Sequence, residues 1–201
     1  MTAKKRRTKS GGTSAWAKRK SEPLLVEVAW EVVNQVGGIY TVLRSKIPSM
    51  TDRWSRRYCL VGPYVEDTAA VEFQKTAATG TYGQVAAELN EMGIEAHYGF
   101  WLVTGKPHVI LLNTSSVFAR LHEIKYELYE QHGIASPRED DMINRCIAFG
   151  YMVTKLFEVL AARQAEKRAI IGHFHEWMAG SAIPVMRKRQ IKASTVFTTH
   201  A

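Results

Sequence analysis

The sequence has few cysteines and no long apolar run, and both absences limit the class of protein. Its two cysteines, Cys59 and Cys146, each lie inside an apolar segment. They are predicted to be buried free thiols in a reducing cytosol, since two cysteines do not make a disulfide framework. No stretch approaches the ~18 to 20 apolar residues that a membrane-spanning helix needs, and the basic N-terminus lacks the apolar segment of a secretory signal. We therefore expect a cytoplasmic protein with no membrane partner.

Acidic residues are absent from the first 21 positions, and this absence explains the net charge of +8. The eight basic residues of this stretch are Lys4, Lys5, Arg6, Arg7, Lys9, Lys18, Arg19 and Lys20. The remaining chain has 19 basic and 19 acidic residues. Residues 1–22 are therefore predicted to be a disordered basic tail, either a solvated extension or a tether to an anionic surface. The neutral remainder does not favour a nucleic-acid partner.

Residues 23–201 are predicted to form one α/β domain, because strand-like and helix-like segments alternate along them. Strands are predicted at 24–30, 56–64, 94–103, 108–114, 169–175 and 194–200, with 70–76 as a further candidate. Helices are predicted at 37–50, 82–93, 116–134, 141–168 and 176–190. The strands are apolar throughout instead of alternating, which is typical of a largely parallel, Rossmann-like sheet with helices on both faces. In such sheets ligands bind beyond the carboxyl ends of the strands.

Two adjacent glycines, Gly37 and Gly38, stand at a predicted strand-to-helix turn in EVVNQVGGIYTVLRSK. Glycine beside a helix costs up to about 1 kcal/mol relative to alanine, so the missing side chains need a reason. Without Cβ atoms, a phosphate could reach the free N–H groups at the helix start. Neither GxGxxG nor GxxxxGK[ST] is present. A phosphate-binding turn and a tight turn without a ligand both stay open.

His173 and His175 alternate in HFHEW, so they share one face of a predicted strand. No third group at metal-ligand spacing accompanies them in the sequence, and we expect no metal. A ligand-donating histidine and a purely structural one remain alternatives. Farther along the chain, Asp140 or Asp141 is expected to cap the long helix, and Trp177 is expected to pack.

Five segments taken together resemble the eukaryotic-type glycogen synthases, glycosyltransferase family 3. They are EVAWEVVNQVGGIYTVLRSK, LVGPY, FWLVTGKPHVILLN, HFHEWMAGSAIP and FTTHA, and they occur in the same order as in that family, from Leu24 to Ala201. The resemblance implies a GT-B architecture of two Rossmann-like halves facing a cleft. It also implies transfer of glucose from UDP-glucose to the 4-OH of a glycogen or α-1,4-glucan chain end, with retention and without a cofactor or metal.

The resemblance also assigns residues. It places Gly37 and Gly38 against the donor diphosphate, His175 near the glucosyl ring as the catalytic histidine, and His200 in a substrate-binding loop at the cleft. One departure stands out: Gln35 occupies a position where the family usually has lysine or arginine.

The last predicted strand leads into no crossover, so we expect a second, C-terminal Rossmann-like half that this sequence lacks. In the family that half supplies the uridine pocket, basic residues for the donor phosphates and the catalytic glutamate. The 201-residue chain alone is therefore expected to be inactive. The alternatives are a non-catalytic module that binds glucan or a partner, and part of another retaining GT-B transferase. A homo-oligomer is also left open.

Overall fold

The structure is a computed structural model that describes residues 21–164 and 167–200. Almost all of the predicted basic tail, residues 1–22, lies outside the described residues. The first strand begins at Ser21, two residues before the predicted start of the domain.

Within the described residues, seven strands form one sheet in the order β3-β4-β5-β2-β1-β6-β7. The strands are β1 (Ser21–Val28), β2 (Tyr58–Pro63), β3 (Phe73–Lys75), β4 (Ala96–Trp101), β5 (His108–Leu112), β6 (Arg168–His175) and β7 (Ser194–Thr198). The five strands β5, β2, β1, β6 and β7 are parallel to one another, whereas β4 pairs antiparallel with β5, and β3 pairs antiparallel with β4. The predicted largely parallel sheet is confirmed.

In the part of the chain that the structure describes, seven α-helices connect the strands. They are α1 (Gly38–Trp54), α2 (Glu66–Glu72), α3 (Gly80–Glu91), α4 (Leu121–His132), α5 (Asp141–Gln164), α6 (Glu176–Gly180) and α7 (Ile183–Lys188). Short 3-10 turns at Ser55–Arg57 and Thr114–Arg120 precede β2 and α4.

Helices cover both faces of the sheet, as predicted, and each face has its own apolar core. On one face Tyr40, Leu43 and Ile47 of α1 pack against β1 and β2. On the other face α3, α4, α5 and α7 cover the sheet, with α5 contributing the largest set of buried side chains. The central strands β1 and β2 are buried on both sides, which explains their continuous apolar sequence.

Several local predictions are confirmed. Helix α1 begins at the glycine pair, and both cysteines are buried free thiols. Asp140 caps α5, since its Oδ1 accepts the N–H of Ile143 at 2.9 Å.

Other local predictions were wrong. The helix predicted at 176–190 is two short helices, and the segment 70–76 ends α2 before it forms β3. The helix predicted to reach residue 168 is described only to Gln164, and Arg168 already belongs to β6. Trp177 is 52% exposed, so it does not pack into the core of the described residues.

Candidate active site

The predicted site residues meet where three parallel strands end. β1, β6 and β7 are adjacent and parallel, so their carboxyl ends lie at one edge of the sheet. β1 leads through a turn to Gly37 and the start of α1, β6 ends at His175, and His200 follows β7. The sheet order thus brings together groups that are far apart in sequence, as ligand sites of open α/β folds require.

A cavity of about 380 Å³ opens at this edge. Its lining residues are Glu31, Gly38, Ile39, Val42, Glu176 and His200. We call it the cleft. Two of the predicted binding residues, Gly38 and His200, therefore line one cavity. A larger cavity of about 780 Å³ lies at the amino ends of β1, β5 and β6, near Arg56 and His108, and it contains none of the predicted site residues.

Glu31 gives an internal reason for one of the two glycines. Its buried carboxylate accepts the N–H of Gly37 at 2.7 Å and the N–H of Tyr40 at 3.0 Å, and so caps α1. A Cβ on Gly37 would lie 3.1 Å from Oε1 of Glu31, a tight contact with the capping group. The sequence analysis left open a tight turn without a ligand, but it did not identify this carboxylate as the reason for one.

Gly38 is different, because nothing described lies within 4 Å of the position that its Cβ would occupy. Its N–H and that of Ile39 belong to the first turn of α1, where no intrahelical acceptor exists. Neither group has a hydrogen-bond partner among residues 21–164 and 167–200. These two N–H groups carry the positive end of the helix dipole toward the cleft.

Behind the cleft lies a chain of buried side chains that starts at Glu27 in the middle of the sheet. Glu27 has no exposed surface and its Oε1 lies 2.6 Å from Nε2 of His175. Nδ1 of His175 in turn lies 2.9 Å from Nε2 of His200. His175 is 2% exposed, so it reaches the cleft only through His200. For His175 to donate directly to a sugar, it would first have to lose its contact with His200.

Neighbouring side chains stabilise the ionised form of Glu27. Burial alone would raise the pKa of this carboxyl, but hydrogen bonds from His175, Lys46 and Tyr58 and the charge of Lys46 outweigh it and set the pKa at about 2. Burial, and then the neighbouring carboxylate, raise the pKa of the Tyr58 hydroxyl far above its usual range. At neutral pH Glu27 is therefore an ionised acceptor and Tyr58 a donor.

His173 shares the strand face with His175, as predicted, but it is the more exposed of the two. Its Nε2 bonds to Oγ1 of Thr198 at 2.8 Å, and its Nδ1 lies 3.4 Å from Glu27. Burial and then the neighbouring His175 lower its pKa to about 4. The side chain of His173 is 22% exposed, against 2% for His175.

Glu27, His173 and His175 also place potential metal-ligand atoms within 4.8 Å of one another. The Lys46 ammonium group already contacts Oε1 of this carboxylate. A metal cation would have to displace that ammonium group, so the arrangement suits hydrogen bonding better than metal binding. That the protein needs no metal remains a prediction.

Glu176 adds strain at the mouth of the cleft. Its backbone has φ 61°, which is uncommon for a residue with a side chain. Its carboxylate accepts the backbone N–H of His200 and so holds the end of β7 beside the start of α6. Such strain is most often kept at functional sites.

Glu27 and Glu31 were missed from sequence, although Glu27 left a signal. Glu27 is a lone acid inside the apolar run LLVEVAW, and a charge in a buried strand is rare unless it is paired. Its partners were not visible, because they come from residues 19 to 148 positions away.

The fold and the cleft define a Rossmann-like domain with a cavity at the carboxyl ends of its parallel strands. The sequence profile of the family described as Glycogen synthase matches residues 27–201. The chain therefore belongs to the glycogen synthase family, which confirms the resemblance drawn from its five segments.

Curated relatives agree with this placement. Glycogen [starch] synthase of Neurospora crassa is 40% identical over 179 residues, which cover 89% of this chain and 25% of that protein. Isoform 1 of Saccharomyces cerevisiae is 40% identical over 187 residues, 89% of this chain and 26% of the relative. The mouse liver enzyme is 35% identical over 198 residues, 96% of this chain and 28% of the relative. The chain thus spans about a quarter of the length of the relatives it matches. No helix in the described residues is long and apolar enough to cross a membrane.

Proposed function

We propose that the chain forms the N-terminal part of a retaining glycosyltransferase that transfers glucose from UDP-glucose to the 4-OH of a glycogen or α-1,4-glucan chain end. Family membership over residues 27–201 is the observation that carries this proposal. The relatives' names, glycogen [starch] synthase, supply the reaction. The geometry supports it, since the glycine turn and His200 line one cleft.

The donor diphosphate would lie at the start of α1. The N–H groups of Gly38 and Ile39 face the cleft with the helix dipole behind them, which suits an anion. Glu31 opposes a phosphate that comes too close, because its carboxylate already takes the N–H groups of Gly37 and Tyr40. The exposed Gln35 brings no positive charge to this turn. Most of the diphosphate charge would then be balanced by groups outside the described residues.

A C-terminal Rossmann-like half is the proposed source of those groups. The relatives are about four times as long as the matched region, which leaves ample length for a second domain that faces the cleft. His175 is the proposed catalytic histidine of the N-terminal side, acting at the cleft together with His200. Two buried free thiols support a reducing compartment, the cytoplasm.

The test is glucosyl incorporation from UDP-glucose into glycogen by the complete product of the reading frame that encodes this chain. We expect transfer that requires both UDP-glucose and a glucan primer. Activity with another nucleotide sugar but not with UDP-glucose would indicate a different retaining transferase. Glycogen binding without turnover of any nucleotide sugar would indicate the non-catalytic module instead.

A further inference from the structure

The buried chain Glu27–His175–His200 determines where protons lie on the histidine that lines the cleft. Because Glu27 is ionised, it accepts a hydrogen bond, and the proton of neutral His175 must be on Nε2. Nδ1 of His175 is then an acceptor. The contact of 2.9 Å with Nε2 of His200 is satisfied only when His200 carries its own proton on Nε2.

This arrangement leaves Nδ1 of His200 with a lone pair. No protein group bonds to Nδ1 among the described residues, and His200 lines the cleft. A sugar hydroxyl that reaches this nitrogen would therefore meet a hydrogen-bond acceptor. With the opposite tautomer it would meet a donor, and His200 and His175 would face each other without a proton between them.

We propose that Glu27 is a positioning residue, which acts through His175 to fix the ring tautomer of His200 and so presents an acceptor nitrogen to a sugar hydroxyl in the cleft. The proposal deepens the proposed function and rests on it only for the identity of the ligand. The tautomer itself follows from side chains that are all on this chain.

Charged and titratable groups from several elements face this chain of contacts. Lys46 from α1 contacts the same carboxylate oxygen of Glu27 as His175 does. From β2, the Tyr58 hydroxyl bonds to the other oxygen of Glu27. From β6, His173 is neutral above about pH 4. At the cleft end, the Glu176 carboxylate is bound to the backbone N–H of His200, and Glu31 is bound to the start of α1.

The first test is a spectroscopic one on the 201-residue chain without any ligand. Two-bond ¹H–¹⁵N correlation spectra of histidine-labelled protein report which ring nitrogen carries the proton. The signals of His175 and His200 are assigned from His175→Gln and His200→Gln. At pH 7.5 we expect both rings in the Nε2–H form. A proton on Nδ1 of His200 would overturn the proposal without any need for a further variant.

Glu27→Met tests whether Glu27 is the cause. It removes the acceptor but keeps a side chain of similar length, so the fraction of His200 in the Nε2–H form should fall and a signal of the Nδ1–H form should appear. Tyr58→Phe is the matched control, since it removes a different buried hydrogen bond from the same carboxylate and leaves the contact with His175. It should keep the native tautomer. Unchanged tautomers in a folded Glu27→Met variant would contradict the proposed role.

Kinetics of the complete protein then separate this proposal from the proposed function. Glu27→Met should lower kcat for glucosyl transfer by about tenfold or more, and should change KM for UDP-glucose by less than about threefold. If UDP-glucose is not a substrate, the proposed function fails, but the spectra still decide the tautomer. If transfer occurs with native kcat in Glu27→Met, the proposed function stands and the role of Glu27 is refuted.

Discussion

Glu27 is a charged side chain without exposed surface, and its ionisation makes the stability of the folded state depend on pH. Its pKa of about 2 lies below the usual value of 4.5, so the folded state favours the ionised form. The resulting stabilisation is complete above about pH 4.5 and is lost as the pH falls toward 2. The difference corresponds to on the order of 3 kcal/mol. The pKa of His173 is lowered from 6.5 to about 4 in the folded state. The folded state therefore also loses stability as the pH falls from 6.5 to 4.

We therefore expect the melting temperature of the chain to fall from pH 7 to pH 4 and to fall further below it. Thermal unfolding followed by circular dichroism at a series of pH values measures this. Glu27→Gln keeps the shape of the side chain but not its charge, so its melting temperature should be lower at pH 7 and should depend less on pH below 4.5. Parallel curves for the two proteins would show that Glu27 does not cause the acid sensitivity.

His175 remains the histidine of this chain that we expect to affect the reaction. In the complete protein, His175→Ala should lower kcat more than it raises KM, with a loss on the order of 10² or about 3 kcal/mol. The contacts on both ring nitrogens give the reason, because the substitution removes the support of His200 as well as the ring itself.

His173→Ala is the comparison on the same strand. Its ring bonds to Thr198, away from the cleft-lining residues, so we expect it to act through stability more than through rate. If His173→Ala lowers kcat and His175→Ala does not, the role assigned to His175 belongs to His173, two residues earlier on β6. Should neither folded variant change kcat, both histidines are structural.

At the scale of single elements, the start of α1 depends on a residue from the turn before it. Glu31 accepts two of the N–H groups of the first turn from a buried position. Glu31→Ala should lower the free energy of unfolding by about 1 to 3 kcal/mol, because it leaves the buried N–H group of Tyr40 without its acceptor. Denaturant unfolding at pH 7 measures the change. Asp67→Ala, at an exposed position in the first turn of α2, is the control and should change it by less than about 0.5 kcal/mol.

Substitutions of the two glycines in this turn should differ in their effect on the affinity for UDP-glucose. Gly38→Val places a side chain in open space above the two free N–H groups, so the folded variant should bind UDP-glucose more weakly by over about tenfold, or about 1.4 kcal/mol. Calorimetry on the complete protein measures this. Gly37→Ala instead presses on Glu31 and should chiefly lower stability. Native donor affinity in folded Gly38→Val would exclude the diphosphate from this turn.

The sequence predicted the elements better than it predicted the contacts between them. Apolar runs such as LVGPY and AIIGHFH identified their strands, because a doubly covered sheet leaves little room for polar side chains. The break between α6 and α7 was missed, since the helix-like pattern around Ser181 continues across it. Gly38, His175 and His200 were found at one edge, whereas Glu27 and Glu31 were not. Their roles depend on the pairing of β1 with β6 and on the path of one turn, and local sequence does not encode either.

At the scale of the whole molecule, the charge of the cleft is unbalanced. Glu31 and Glu176 line it, and no lysine or arginine does so among the described residues. A doubly charged diphosphate would need positive groups there, and charge stabilisation is usually the largest catalytic contribution. We therefore expect no glucosyl transfer from UDP-glucose to glycogen by the purified 201-residue chain. Radiolabelled incorporation measures it, with the complete protein as the positive control. Transfer by the chain alone would show that catalysis needs no second domain.

The central position of β1 has a consequence for the chain while it is being made. β1 is synthesised first, but one of its two neighbours, β6, begins at Arg168, about 140 residues after Val28. At roughly 5 to 20 residues per second, the ribosome needs on the order of ten seconds to supply it. Throughout that interval an apolar strand has an open edge, which other nascent chains can pair with. We expect the nascent protein to need a chaperone that shields this strand until β6 emerges from the ribosome.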